Sequence, residues 1–188
     1  MRRSRDAAAA TRRSIVDTAS RLFRGRGIAS VSVADIMGAL GLTVGGFYRH
    51  FASKQALVGE AIVAASLETT SRHAETAGKS PRERASALVD AYLSRFHRDH
   101  ADVGCPVAAL CSEVAHEDSR TRDSFTIALR RLLAVIAGVA PGDSKAARYR
   151  RLQTAASIVG ALVLARATTD EALAADLLEA ARRHALRA

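Results

Sequence analysis

A helical pattern that halts at a glycine and restarts almost at once constrains this chain more than any other feature. It lies in the stretch Ser32 to Lys54, SVADIMGALGLTVGGFYRHFASK. Val33, Ile36, Met37 and Leu40 recur at helical spacing and give one apolar face. Ser32 precedes them, with Asp35 three residues on, close to the pattern of a capping box. Gly41 follows Leu40, where a helix end calls for a left-handed residue and glycine adopts that conformation at least cost. Thr43 then stands at the N-cap of a second helix, Val44 to about His50. Two short helices across a glycine turn predict a helix-turn-helix, whose second helix is the element that enters a DNA major groove.

The second helix has the composition for that task. Val44, Gly45 and Gly46 are small, so its N-terminus can approach bases and phosphates, and its free N–H groups favour phosphate. Tyr48, Arg49, His50 and Lys54 can donate to a DNA backbone, which supplies affinity more than sequence reading. Phe47 and Phe51, four apart, are expected to point inward. An ordinary helical hairpin with a solvated basic face is the competing reading. Two adjacent glycines, each costing a helix about 1 kcal/mol relative to alanine, argue against it. The formal net charge of +9 is concentrated here: residues 1–60 carry ten Arg or Lys against four Asp or Glu, and the remaining residues are close to neutral. Such asymmetry predicts a basic end facing nucleic acid.

From about Ile15 to Leu57 the chain resembles the DNA-binding domain of the TetR family of bacterial transcriptional regulators. The resemblance runs through Ala19, Leu22, Phe23, Gly27, Val33, Ile36, Leu40, Gly41 and Leu42. It continues through Gly46-Phe47-Tyr48-Arg49-His50-Phe51, Ser53-Lys54 and Leu57, and the Tyr-x-His-Phe-x-x-Lys core is its most specific part. Ile28 stands where an aromatic residue is common, and Leu40 where alanine is more frequent. The resemblance implies that Ser32, Thr43, Tyr48, His50 and Lys54 touch phosphates. It places Val44, Gly45 and Gly46 nearest the bases, with Arg49 reaching a base edge.

The expected fold class is all-α: an N-terminal three-helix helix-turn-helix domain (residues 1–55) and a C-terminal helical ligand-binding and dimerisation domain (residues 56–188). All three prolines lie beyond residue 80, and no alternating Val/Ile/Thr/Tyr run bounded by turns suggests a strand. No uninterrupted apolar run reaches membrane-spanning length, and no apolar core follows the charged N-terminus, so neither a membrane span nor a secretory signal is expected. Two cysteines make no disulfide framework, and a cytoplasmic location fits. Residues 1–7, with Arg2, Arg3 and Arg5, read as a basic arm that either follows a DNA groove or is solvated. A bracing helix is expected from about Ala8 to Arg24, and a linking helix from Lys54 to about Thr76, before Gly78-Lys79 breaks the pattern.

In the body, Ser80-Pro81-Arg82-Glu83 starts a helix expected to carry Leu88, Tyr92 and Phe96 on one stripe to about His97. Leu88 reads as core, whereas Tyr92 and Phe96 read equally as core or as a cavity wall. Gly104-Cys105-Pro106 opens a helix with Leu110 and Val114 inward. A thiol at a helix N-terminus can have a lowered pKa. The resemblance adds a branch of TetR-like regulators with a Gly-Cys start to this helix, some of which answer electrophiles or oxidants. An inert buried cysteine is the alternative. A helix to about Val139 should place Phe125 and Leu129 inside and Arg130 and Arg131 outside. Tyr92, Phe96, Leu110, Val114, Phe125 and Leu129 are the expected pocket wall.

The last two helices carry Leu152, Ala156, Val159 and Val163, then Leu173 and Leu177. Their apolar faces look wider than one layer can bury, and the family resemblance implies a four-helix homodimer interface there. A monomer core is the other reading. No metal-ligand spacing, nucleophile elbow or phosphate-binding glycine loop occurs, so neither an enzyme nor a bound cofactor or metal is expected. The expected function is therefore a dimeric regulator of a palindromic double-stranded operator. By resemblance it would be a repressor, released by a small apolar or electrophilic effector. A constitutive architectural DNA-binding dimer is the alternative.

Overall fold

The computed structural model describes residues 2–74 and 80–187. Among them lie ten α-helices, two short 3₁₀ turns and no strand. The helices are α1 (Arg2–Arg26), α2 (Val33–Ala39), α3 (Val44–Phe47), α4 (Lys54–Ala74) and α5 (Pro81–Tyr92). They continue with α6 (Arg95–Asp99), α7 (Pro106–Val114), α8 (Ser119–Val135), α9 (Lys145–Ala167) and α10 (Glu171–Leu186). Helices α1 to α3 form the head, and α4 carries the chain from the head into the body.

The N-terminal arm is a correction: α1 begins at Arg2. The alanines at 7 to 10 are the strongest helix formers, and no breaker stands before them, so the helix runs out through the basic residues. Its inner face buries Ile15, Ala19 and Phe23. It ends at Gly27, whose φ of 85° lies in the left-handed region. The capping box of α2 is complete: the Asp35 N–H donates to Ser32 Oγ at 3.1 Å, and the Ser32 N–H donates to Asp35 Oδ2 at 2.8 Å. Gly41 makes the turn at φ 66°.

Ser53 starts α4, accepting from the Ala56 N–H at 3.1 Å. This helix packs on α1 on one side and α8 on another. The buried apolar residues of head and body form one continuous cluster. The boundary expected near residue 55 thus falls in the first turn of a helix, where no gap separates the parts. The break expected at Gly78-Lys79 lies outside the described residues.

The helix beginning at Ser80 is shorter than its apolar stripe suggests. It ends at Tyr92, and Ser94 caps the separate α6 by accepting from the His97 N–H at 3.1 Å. A serine that satisfies helix N–H groups from outside competes with continuation of the helix. Leu88 and Tyr92 stay buried, while Phe96 turns outward and is 61% exposed. Arg131, expected outside, is half-buried and donates to the Val63 carbonyl at 3.1 Å and to Ser66 Oγ at 2.7 Å, tying α8 to α4.

Helices α9 and α10 pack on each other and divide their apolar residues between two faces. Ala155, Ile158, Leu162 and Ala165 belong to the core of the chain. Leu152, Leu164 and Leu173 are 41–55% exposed. Ala156 is exposed, and Val159, Val163 and Leu177 are partly covered. Among the described residues no helix is long and apolar enough to cross a membrane.

Candidate nucleic-acid interface and body cavity

Phe47 and Phe51 are buried and stacked at 5.5 Å between ring centroids, so they anchor α3 from beneath. That leaves Thr43, Val44, Gly45, Tyr48 and Arg49 exposed, with Gly46 and His50 partly covered. The second helix is shorter than Val44 to His50. After Phe47 the chain tightens into turns in which the Arg49 N–H reaches the Gly46 carbonyl and the His50 N–H the Phe47 carbonyl. Thr43 occupies the N-cap position, yet its side chain makes no cap hydrogen bond. A Cβ built on Gly45 meets nothing within 4 Å, so the fold itself does not demand glycine there.

Two of the expected phosphate donors are already engaged. The Ser32 hydroxyl donates to Asp35 Oδ2 at 2.6 Å, and these Ser32 bonds hold the Asp35 carboxyl below its ordinary value. Lys54 Nζ donates to the Ile28 carbonyl at 2.5 Å and lies 5.9 Å from the Phe23 ring centroid. An ammonium has three donors, so Lys54 retains donors after that bond.

The body holds a cavity of about 190 Å³. Helix α4 contributes Ser66, Thr69 and Thr70, and α8 contributes Ala128, Leu132 and Val135. Leu88, Ala91 and Tyr92 come from α5, and Cys105 and Pro106 from the start of α7. Phe96 and His100, stacked at 4.2 Å, line it from α6 and the turn after it.

His97 clips this wall together. Its Nε2 accepts from the Cys105 N–H at 2.9 Å, which leaves Nδ1 as the protonated nitrogen, donating to the Tyr92 carbonyl at 2.7 Å. Both bonds require the neutral ring. Glycine at 104 makes room for it: a Cβ there would lie 2.6 Å from the imidazole. Arg166 of α9 holds the same segment by donating to the carbonyls of His97 at 2.6 Å and Arg98 at 3.1 Å.

Cys105 does stand at the N-cap of α7 with Pro106 as first residue. Its thiol is nevertheless buried, and burial pushes its pKa up rather than down. Desolvation outweighs the interaction with Tyr92 and the α7 backbone N–H groups. This corrects the expectation of an activated thiolate. The adjoining Tyr92 is raised well above the ordinary tyrosine value, by burial first and by the neighbouring Cys105 second. Tyr92 Oη is fully buried and has no hydrogen-bond partner.

Of the expected pocket residues, the structure brings Tyr92 and Phe96 to the cavity. Leu110 and Val114 are buried in the core, and Phe125 and Leu129 pack partly buried against it; none of the four lines the cavity. The cavity face of α8 is rotated from its Phe125/Leu129 face. Its signal in the sequence was the small Ala128 one turn before Leu132, and on α4 the Ser66/Thr69/Thr70 cluster inside an apolar helix. Among the described residues no group of His, Cys, Asp and Glu is arranged to hold a metal.

One residue of the head is tied to the wall of this cavity. Arg24 of α1 has a fully buried side chain, donating to the Gly104 carbonyl at 2.7 Å, to Glu68 Oε2 of α4 at 2.9 Å and to the Ser20 carbonyl at 3.1 Å.

The molecule is thus a helix-turn-helix head set on a helical body with an apolar cavity. Residues 15–61 match the family of bacterial regulatory proteins described as the tetR family. That match places the helix-turn-helix head in the tetR family of bacterial regulatory proteins. The HTH-type transcriptional regulator TtgR of Pseudomonas putida is 39% identical over 83 residues, covering 44% of this chain and 39% of that one. The uncharacterised HTH-type regulator YerO of Bacillus subtilis is 35% identical over 92 residues, covering 47% and 32%. The chain thus spans about a third to two-fifths of the length of these relatives. A TetR-family regulator from Agrobacterium tumefaciens superposes with a TM-score of 0.75 at 25% identity, over 94% of this chain and 97% of that one. These homologues are regulators, not enzymes.

Proposed function

We infer that this chain acts in the cytoplasm as a homodimeric repressor that leaves a palindromic operator when a small apolar effector fills the body cavity. Residues 1–55 read DNA and residues 56–188 bind the effector and the second subunit. Val44, Gly45 and Gly46 approach the bases, Arg49 reaches a base edge, and Ser32, Thr43, Tyr48, His50 and Lys54 hold phosphates. Leu152, Ala156, Val159, Val163, Leu173 and Leu177 meet their symmetry mates across a two-fold axis that matches the operator's. The exposure of Leu152 and Leu173 supports that arrangement.

The observation that carries the regulatory reading is the bridge at Arg24. One guanidinium of the head holds both α4 and the carbonyl of the cavity wall at Gly104. An effector that binds better to one tilt of α4 shifts the population toward it and so changes the spacing of the two heads. The test is fluorescence anisotropy with the duplex from the chain's own upstream intergenic region, alongside sedimentation of the free protein. Salt-sensitive binding as a dimer, reversed by a cavity ligand, supports the repressor. Equal affinity for random duplex, unmoved by any cavity ligand, favours the constitutive architectural reading.

A further inference from the structure

The chemistry of the cavity wall narrows its ligand, granted the effector reading above. Most polar groups on the wall are already engaged. The Ser66 hydroxyl donates to the Val63 carbonyl at 2.7 Å and accepts from Arg131. Thr69 and Thr70 donate back to the α4 carbonyls of Ala65 and Ser66. Both His97 nitrogens are committed, and His100 Nδ1 lies 3.0 Å from the Phe96 carbonyl oxygen. No Asp, Glu, Lys or Arg is among the described lining residues.

Tyr92 Oη is different. Tyr92 is 3% exposed, lines the cavity, and its hydroxyl has no hydrogen-bond partner. The Cys105 thiol beside it interacts with it, but sulfur is only a weak acceptor. A buried hydroxyl without a partner is costly, and a ligand that supplies an acceptor recovers that cost. A charged ligand would lose its hydration and meet no charged side chain on the lining, while Arg166 behind the wall is engaged by the His97 and Arg98 carbonyls.

We propose that the cavity takes a small uncharged ligand, one ring with a short substituent, whose single hydrogen-bond acceptor receives the Tyr92 hydroxyl proton. Size agrees: an apolar cavity of about 150 Å³ holds benzene, and this one is about 190 Å³. Binding is reversible and leaves Cys105 as an unreacted wall residue.

Three probes of one shape separate the possibilities: acetophenone carries a carbonyl acceptor, isopropylbenzene has none, and benzoate is charged. Their affinities are measured by calorimetry on the full chain and on Tyr92→Phe. That variant removes only the unpartnered hydroxyl, so its thermal melt should match or exceed that of the parent. The expected result is a ratio of acetophenone to isopropylbenzene affinity that falls about tenfold in Tyr92→Phe, the worth of one hydrogen bond, with benzoate not binding either protein. An unchanged ratio, tightest binding by benzoate, or no binding of any probe to the parent chain would overturn the proposal. Probe binding that follows the expected ratio but leaves the protein on DNA would uphold this ligand chemistry and remove the effector role.

Discussion

The guanidinium of Arg24 donates to the carbonyl oxygen of Gly104 at 2.7 Å, joining residues 80 apart in sequence. Arg24 belongs to the bracing helix of the head, and Gly104 is the residue before Cys105 in the cavity wall. Arg24→Leu removes a buried cation from three acceptors. Breaking a buried pair costs 3–5 kcal/mol, and the partial exposure of Glu68 points to the low end, about 3 kcal/mol. Urea unfolding measures that loss. The sharper expectation concerns coupling: at a temperature where the variant remains folded, anisotropy titrations should show DNA affinity that a cavity ligand no longer changes. Full retention of the ligand response would remove Arg24 from the path.

Gly45→Ala separates fold from function in the head. Its Cβ meets no neighbour within 4 Å, so the fold gains helix propensity, about 1 kcal/mol at most. The added methyl occupies the space through which α3 would approach the bases. A melt at or above that of the parent, together with operator affinity at least about tenfold weaker, a loss of about 1.4 kcal/mol, is expected.

Gly160 on α9 offers the same separation for the dimer. A Cβ there also meets nothing within 4 Å of the single chain. Gly160→Leu should leave the helical content intact and shift sedimentation toward monomer, because small residues let two helices approach closely. An unchanged dimer would move the interface away from this face of α9.

The two thiols should differ in alkylation. Cys105 is buried with its pKa raised by desolvation, whereas Cys111 is partly exposed. Only the thiolate reacts, so Cys105 carries less reactive form at neutral pH than an ordinary cysteine. Mass spectrometry after brief iodoacetamide treatment at pH 7 should find Cys111 modified and Cys105 intact. Modification of Cys105 first would restore an electrophile-sensing role.

Acid stability follows from four carboxylates. Asp35, Asp99, Asp118 and Glu179 are all held below their ordinary values, first by hydrogen bonds from Ser32, Arg98, Thr121 and Arg183 respectively. A depressed folded-state pKa contributes stability that is fully present above the unfolded value and is lost as pH falls through the folded one. Thermal melts should be flat between pH 5 and 7 with respect to these groups and fall as pH drops below the ordinary values of 4.5 for the glutamate and 3.8 for the aspartates. Asp35→Asn should make that fall shallower.

The features legible from the chain alone are local ones. The Ser32/Asp35 and Ser80/Glu83 capping boxes, the Gly41 turn and the Pro106 helix start form where their residues predict, because each depends on neighbours within one or two helical turns. The inward Phe47 and Phe51 and the all-helical class were legible for the same reason: apolar spacing reports the buried face directly. Tertiary structure decided which buried face looks onto what. Helical facing placed Leu110 and Val114 inward, but not whether inward meant core or cavity; that depends on how α7 and α8 rotate against α4. Phe96 left its stripe because Ser94 capped a new helix. Lys54 and Arg131 were captured by carbonyls of distant elements. Cys105 shows the physical reason most plainly. Its helix-end position is a local property, but its burial is set by helices far away in sequence, and desolvation outweighed the local backbone N–H groups.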